Sequence, residues 1–207
     1  MRYVIMANGH GTRWGGHNGI PKHLIEFDGE TLLRRIVRQV AEADPGADIV
    51  ISASNPAYDT EGARRHVPEV NEIELDRFVP ELIVDEVTFL YGDTLYSTSA
   101  IAAIVAEPTT AIDFFGDERA IVAVKSVDRD LLLRHLDRVR RLFIANEIDA
   151  CKGWQVYQSY EGLSFDDVVL GPRFRILDDA TVGFNTPEEH TSFTDWLRQE
   201  RQHDYQP

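Results

Sequence analysis

At 207 residues the chain can hold one domain with a sizeable core, and its 43% hydrophobic and 10% aromatic content fits a globular fold rather than a disordered one. A net charge of −14 argues against binding nucleic acid or an anionic membrane surface, and no apolar run approaches the ~20 residues that cross a bilayer. The single cysteine, Cys151, excludes an internal disulfide framework, suits a reducing cytoplasm and reads as a small buried residue.

The opening MRYVIMANG reads as a first strand, about Tyr3–Ala7, because polar residues follow too soon for a secretory signal. A glycine-rich loop follows. Leu33, Ile36, Val37 and Val40 then recur at helical spacing, predicting a helix from about Thr31 to Ala43 that Pro45-Gly46 stops. DIVISA, Asp48–Ala53, predicts a second strand, and Thr60–Val67 a short helix. The segment 73–84 reads as an excursion carrying a short strand. VTFLY, Val87–Tyr91, predicts a buried strand that ends at Gly92-Asp93, and Ser99–Ala106 a helix closed by Pro108.

Strands are expected at Ala111–Phe115 and Ala120–Lys125, followed by a long helix that Asp128 caps and that runs to about Asn146. Its Arg134, Arg138 and Arg141 read as a solvated face. Arg173–Leu177 suggests a late strand. Thr186-Pro187-Glu188-Glu189 has the N-cap, proline and glutamate of a helix start, with Phe193, Trp196 and Leu197 as its packing stripe. Alternating strands and helices imply an α/β fold with a mostly parallel sheet. Residues 1–198 are expected to form one domain, with 199–207 a frayed tail.

The loop holds Gly9, Gly11, Gly15, Gly16 and Gly19, carries Arg13 and ends at Pro21-Lys22. Glycine lets the backbone approach a polyphosphate, Arg13 offers a fixed fork to its oxygens, and Lys22 a mobile point charge. A Walker string is absent, and the dinucleotide fingerprint would need glycine where Trp14 stands. Charge agrees with this reading. Residues 1–40 hold six Lys/Arg against three acids, a net of +3, which leaves −17 elsewhere.

Asp93 follows an apolar strand directly and should face the crevice beyond the strand ends, where a carboxylate suits Mg²⁺ held jointly with phosphates; the competing reading is a cap on the next helix. His10, His17 and His23 lack metal-ligand spacing and read as loop polarity. Asp128-Arg129-Asp130 matches a DxD string yet opens a helix, and reads as structural. Trp154, Tyr157, Tyr160 and Tyr96 read chiefly as packing, with an acceptor pocket as the alternative.

Ala7, Gly9, Gly11, Thr12, Arg13, Pro21, Lys22, Leu24, Gly29, Leu32, Leu33 and Ile36 together resemble the amino-terminal signature of the nucleotidyltransferase superfamily. Asn8 stands where those proteins have a small residue. The resemblance implies a three-layer α/β/α sandwich with a mostly parallel mixed sheet, as in nucleotide-diphospho-sugar transferases. It implies a nucleotide site at Ala7, Asn8, Gly9, Gly11, Thr12, Arg13 and Lys22, with Arg13, Lys22 and Asp93 catalytic. Mg²⁺ would sit on Asp93 and on Asn185, or Asp179 in its place, since Asn185 occupies the position of the family's second aspartate.

The implied activity moves a nucleoside monophosphate from a nucleoside triphosphate, with CTP favoured by analogy to compact relatives, onto a sugar 1-phosphate or phospho-alcohol. Two alternatives stand beside it. One is a guanylyltransferase acting on the molybdenum cofactor. The other is a nucleotide-binding regulatory subunit without catalysis, which the neutral Asn185 keeps open.

Overall fold

The structure, a computed structural model, describes residues 1–166 and 169–203. Strand β1 (Arg2–Met6) leads into the glycine-rich loop. A small hairpin of β2 (Glu26–Phe27) and β3 (Glu30–Thr31) then enters α1 (Leu32–Ala43). Next come β4 (Asp48–Ser52), β5 (Arg64–His66), β6 (Val87–Tyr91), β7 (Thr94–Leu95) and α2 (Thr98–Ala106). The second half runs β8 (Ile112–Gly116), β9 (Ile121–Ser126), α3 (Arg129–Ile144), α4 (Gly153–Glu161), β10 (Phe174–Ile176), β11 (Val182–Gly183) and α5 (Pro187–His203).

Seven of these strands form one sheet in the order β10-β8-β9-β6-β1-β4-β5, in which only β9 opposes its neighbours. Side chains alternate across a strand, so β1 supplies both faces. Tyr3 and Ile5 meet Leu33, Ile36 and Val40 of α1 and Ile101 and Ile104 of α2. Val4 and Met6 share the other core with Leu132, Leu136 and Val139 of α3 and Val156 and Tyr157 of α4. Helices on both faces of a mostly parallel sheet make the expected three-layer sandwich.

Local chemistry sets the helix starts. Thr31 Oγ1 accepts the Arg34 amide at 3.3 Å, Ser97 Oγ that of Ala100 at 2.9 Å, and Asp128 Oδ1 that of Leu131 at 2.8 Å. The buried Lys125 closes the other end of α2, its ammonium donating to the carbonyls of Ile104, Val105 and Glu107.

The structure departs from the sequence reading in four places. The helix expected at Thr60–Val67 is instead strand β5, which pairs parallel to β4 at the sheet edge. The sheet's free edge dictates this, because Arg64-Arg65-His66 has no apolar pattern of its own. The excursion at 73–84 carries no strand; it makes two 3₁₀ turns, Glu74–Arg77 and Pro80–Leu82, that bury Leu75 and Leu82. Helix α4 appears where aromatics alone stood out. Burying Val156 and Tyr157 contributes about 1.5–3 kcal/mol each, and the opening Gly153 leaves room for the Tyr91 hydroxyl, which would stand 2.6 Å from a Cβ there. Helix α5 continues past Gln199 to His203, whereas the side chain of Leu197 and the last four residues of the expected tail lie outside the described residues.

Candidate active site

Met6 and Tyr91 are register partners on parallel neighbours, so Ala7-Asn8 and Gly92-Asp93 leave the sheet side by side. Gly92 makes that approach possible. Its amide donates to the Met6 carbonyl at 3.0 Å, and a Cβ at position 92 would stand 2.9 Å from the same oxygen.

Beyond β1 the loop turns through left-handed glycines at 11, 15, 16 and 19. Trp14 anchors it. The indole is 3% exposed, donates to the Ile20 carbonyl at 2.8 Å, and joins a cluster with Ile25, Phe27, Leu32, Leu95 and Phe184. His190 of α5 meets the ring edge-on. The amides of Trp14 and Gly15 fold back onto the Gly11 carbonyl, but those of Gly9, His10, Gly11, Thr12 and Arg13 have no protein acceptor among the described residues. A run of free N–H groups in a glycine-rich loop is a feature that suits an anion. Asn8 ties its base to the neighbouring segments: its Oδ1 accepts the Ser54 amide at 3.0 Å and its carbonyl accepts the Asn71 side chain at 2.7 Å.

Lys22 Nζ and Asp93 Oδ2 form a close, buried ion pair. Burial pushes the Asp93 carboxyl up, but Lys22, His23 and Arg77 together outweigh it and hold the group below the usual carboxylate range. His23 lies beside the pair with Nδ1 3.2 Å from the Tyr58 hydroxyl; burial, with Lys22 and Arg77 acting the same way, pushes it down to about 4 despite Asp93. Across the opening Arg13 Nη2 donates to Asn185 Oδ1 at 2.9 Å, joining the loop to the start of α5.

Arg13, Lys22, Asp93 and Asn185 thus line one cleft of about 200 Å³. Three cations that sequence reasoning missed stand with them: Arg77, Arg119 and Lys152. Arg119 sits in the tight connection between β8 and β9, a turn position visible as DERA; Arg77 lies in a 3₁₀ turn with no pattern to mark it. The cleft therefore sets five basic residues against Glu74 and Asp93, in a chain whose net charge is −14. Arg119, Gly183 and Asn185 also border an adjoining hollow of about 610 Å³, walled by Leu177, Phe193 and Glu188.

Other expected residues lie elsewhere. Asp179, the alternative to Asn185, accepts from Ser97 Oγ at 2.6 Å and Ser99 Oγ at 3.1 Å, so it supports the start of α2 and is not among the cleft residues. Trp154 does reach the cleft, while Tyr96 and Tyr157 are fully buried. Asp128 caps α3 and Asp130 pairs with Arg129. His10 meets the Asn71 carbonyl, and His23 is a core residue rather than loop polarity.

Among the described residues no three His, Cys, Asp or Glu converge as a metal cage. Of the two carboxylates in the cleft, Asp93 follows β6 directly and shares the cleft with the Asn185 amide carbonyl. That donor set fits Mg²⁺, which keeps waters and substrate phosphates as its other ligands. No described helix is long and apolar enough to cross a membrane.

A family model described as a MobA-like NTP transferase domain matches residues 3–111. No curated protein matches the chain. Similar solved structures include the CTP:phosphocholine cytidylyltransferase of Streptococcus pneumoniae, with 12% identity, a TM-score of 0.57, and 95% of this chain and 98% of that one covered. The inositol-1-phosphate CTP transferase of T. maritima has 14% identity and a TM-score of 0.56, with 93% of each chain covered. A structure described as a glucose-1-phosphate thymidylyltransferase of Bacillus anthracis has 10% identity and a TM-score of 0.63, covering 96% of this chain and 95% of that one. At such identities these likenesses show the fold.

Proposed function

Since the chain belongs to the MobA-like NTP transferase domain family, we propose that it moves a nucleoside monophosphate from a nucleoside triphosphate onto a phosphorylated small molecule. The observation that carries this reading is the Lys22–Asp93 pair lying in one cleft with Arg13, which belongs to a loop whose five successive amides have no protein acceptor among the described residues. A triphosphate's charge is met there from the backbone and from side chains at once.

In the proposed reaction an oxygen of the acceptor's phosphate attacks the α-phosphorus in line. The α–β bridging bond breaks and pyrophosphate leaves with its electron pair. A phosphate monoester is already anionic at neutral pH, so no general base is required. Lys22 neutralises charge gathering at the α-phosphoryl group, while Arg13 and the amides of Gly9, Gly11 and Thr12 hold the departing pyrophosphate. Mg²⁺, held by Asp93 and the Asn185 carbonyl, would supply further charge neutralisation on the phosphates when bound.

The acceptor fits the other wall. There the start of α4 presents the amides of Gly153 and Trp154, which have no protein acceptor among the described residues, beside Lys152 and Arg119. The acceptor's carbon skeleton would extend into the adjoining hollow. CTP is the favoured donor, supported by the fold shared with two CTP-using enzymes. The thymidylyltransferase of the same fold keeps the base a matter for experiment.

Pyrophosphate release, measured with CTP, TTP, ATP and GTP against phosphocholine, glycerol phosphates and sugar 1-phosphates, tests the reading. Release that needs one donor and one acceptor together supports it. Nucleotide binding with no release under any pairing overturns catalysis in favour of a regulatory subunit.

A further inference from the structure

The Arg77 guanidinium shares its cleft with two carboxylates, Glu74 and Asp93, of which Asp93 is already paired with Lys22. Arg77 is half-buried, yet among the described residues its side chain makes no ion pair or hydrogen bond. An unpaired charge at that depth costs free energy unless an arriving anion compensates it.

Nor is Arg77 loosely placed. The neighbouring Asp76, 5% exposed, accepts the amides of Glu72 and Ile73 at 2.8 and 2.9 Å and pairs with Arg140 of α3 at 2.7 Å. Leu75 and Phe78 are buried on either side. The 3₁₀ turn is thus fastened to the layer behind it, which sets the backbone position from which Arg77 reaches the cleft.

The guanidinium also lies against the phosphate loop. Gly9 is not in the left-handed region, so its backbone does not demand glycine. A Cβ there would stand 3.0 Å from Arg77 Nη2 and 3.2 Å from Cζ, closer than ordinary contact. What the missing side chain provides at position 9 is room for the arginine. Any residue larger than glycine displaces the guanidinium, which as the end of a flexible side chain gives way before the fold does.

We propose that Arg77 is a direct ligand of the nucleotide's phosphates, facing the free amides from the opposite wall, and that Gly9 exists to let it lie there. This rests on reading the cleft as a nucleoside triphosphate site and adds to that site a residue outside the glycine-loop signature.

A double-mutant cycle tests it, using Gly9→Ala, Arg77→Gln and the pair, with binding of CTP, TTP, ATP and GTP measured by calorimetry and the unliganded melting temperature recorded alongside. Arg77→Gln should weaken the best-bound nucleotide about ten- to a hundredfold, the scale of one lost charged hydrogen bond, while leaving the unliganded melting temperature near that of wild type. Gly9→Ala should weaken binding in the wild-type background and do little more once Arg77 is gone. Should Arg77→Gln fail to fold, Arg77→Lys serves, and an intermediate loss is expected because the charge survives but the fork does not. Unchanged affinity in the Arg77 variants, or fully independent effects in the cycle, overturns the inference alone. Wild-type protein that binds none of the four nucleotides overturns it together with the function proposed above.

Discussion

Lys22 and Asp93 stand 71 residues apart in the chain and meet as an ion pair whose side chains are only 8% and 13% exposed. A pair at this depth stabilises little in itself, but removing one partner strands the other's charge, at about 3 kcal/mol. Lys22→Ala should therefore lower unfolding free energy by that order in a denaturant titration. The Lys22→Ala/Asp93→Ala double variant should recover part of the loss.

The same lysine bears on rate. With Lys22 neutralising charge at the α-phosphoryl group, Lys22→Ala should cut kcat about a hundredfold or more, a larger effect than on nucleotide affinity. Steady-state kinetics beside equilibrium binding separate the two quantities. Near wild-type turnover in a folded Lys22→Ala protein removes the lysine from the mechanism.

His23 gives the fold a pH dependence of predictable sign. Its folded value, about 4, lies below the unfolded value of about 6.5, so the unfolded chain binds more protons between those limits. The stabilisation is complete above pH 6.5 and is lost as pH falls toward 4, amounting to roughly 3 kcal/mol. His23→Phe should flatten the melting temperature across that window; a variant that keeps the full acid sensitivity would place its origin elsewhere.

Asp179 and Asn185 should part company under substitution. Asp179→Asn loosens the hydroxyl bonds at the start of α2 and should lower thermal stability without changing the Mg²⁺ concentration needed for half-maximal activity. Asn185→Ala removes the cleft's amide carbonyl and the partner of Arg13, and should raise that concentration. Magnesium titrations of both variants decide the matter, and a shift seen only with Asp179→Asn reverses the assignment.

Gly92→Ala offers a purely steric test. With 2.9 Å to a backbone oxygen of β1, the added methyl must push two strand ends apart, at about 1–3 kcal/mol, and carry Asp93 with it. Activity should fall further than stability alone accounts for, as read from turnover measured well below the melting temperature.

The legible parts of this molecule were those whose determinants are local. Thr31, Asp128 and Thr186 announce helix starts through their own side chains, and VTFLY needs no partner to read as a buried strand. That Arg13, Lys22 and Asp93 share one cleft was legible because a glycine loop and a strand end each carry the pattern in a few consecutive residues. What stayed hidden depends on distant partners. Strand β5 takes its conformation from β4, and α4 from the core beneath Val156 and Tyr157. Arg77 owes its place to Asp76 and Arg140, which are 64 positions apart on unrelated elements. Asp179 stood close in sequence to the expected ligand position, but its hydroxyl partners turn it toward α2.

The indole of Trp14 sits edge-on to His190 of α5 and in the cluster of Ile25, Phe27, Leu32, Leu95 and Phe184, so the shape of the amino-terminal loop depends in part on residues far along the chain. Cutting the chain before Pro187 would therefore keep Arg13, Lys22 and Asp93 while removing the ring that closes one side of the loop's anchor.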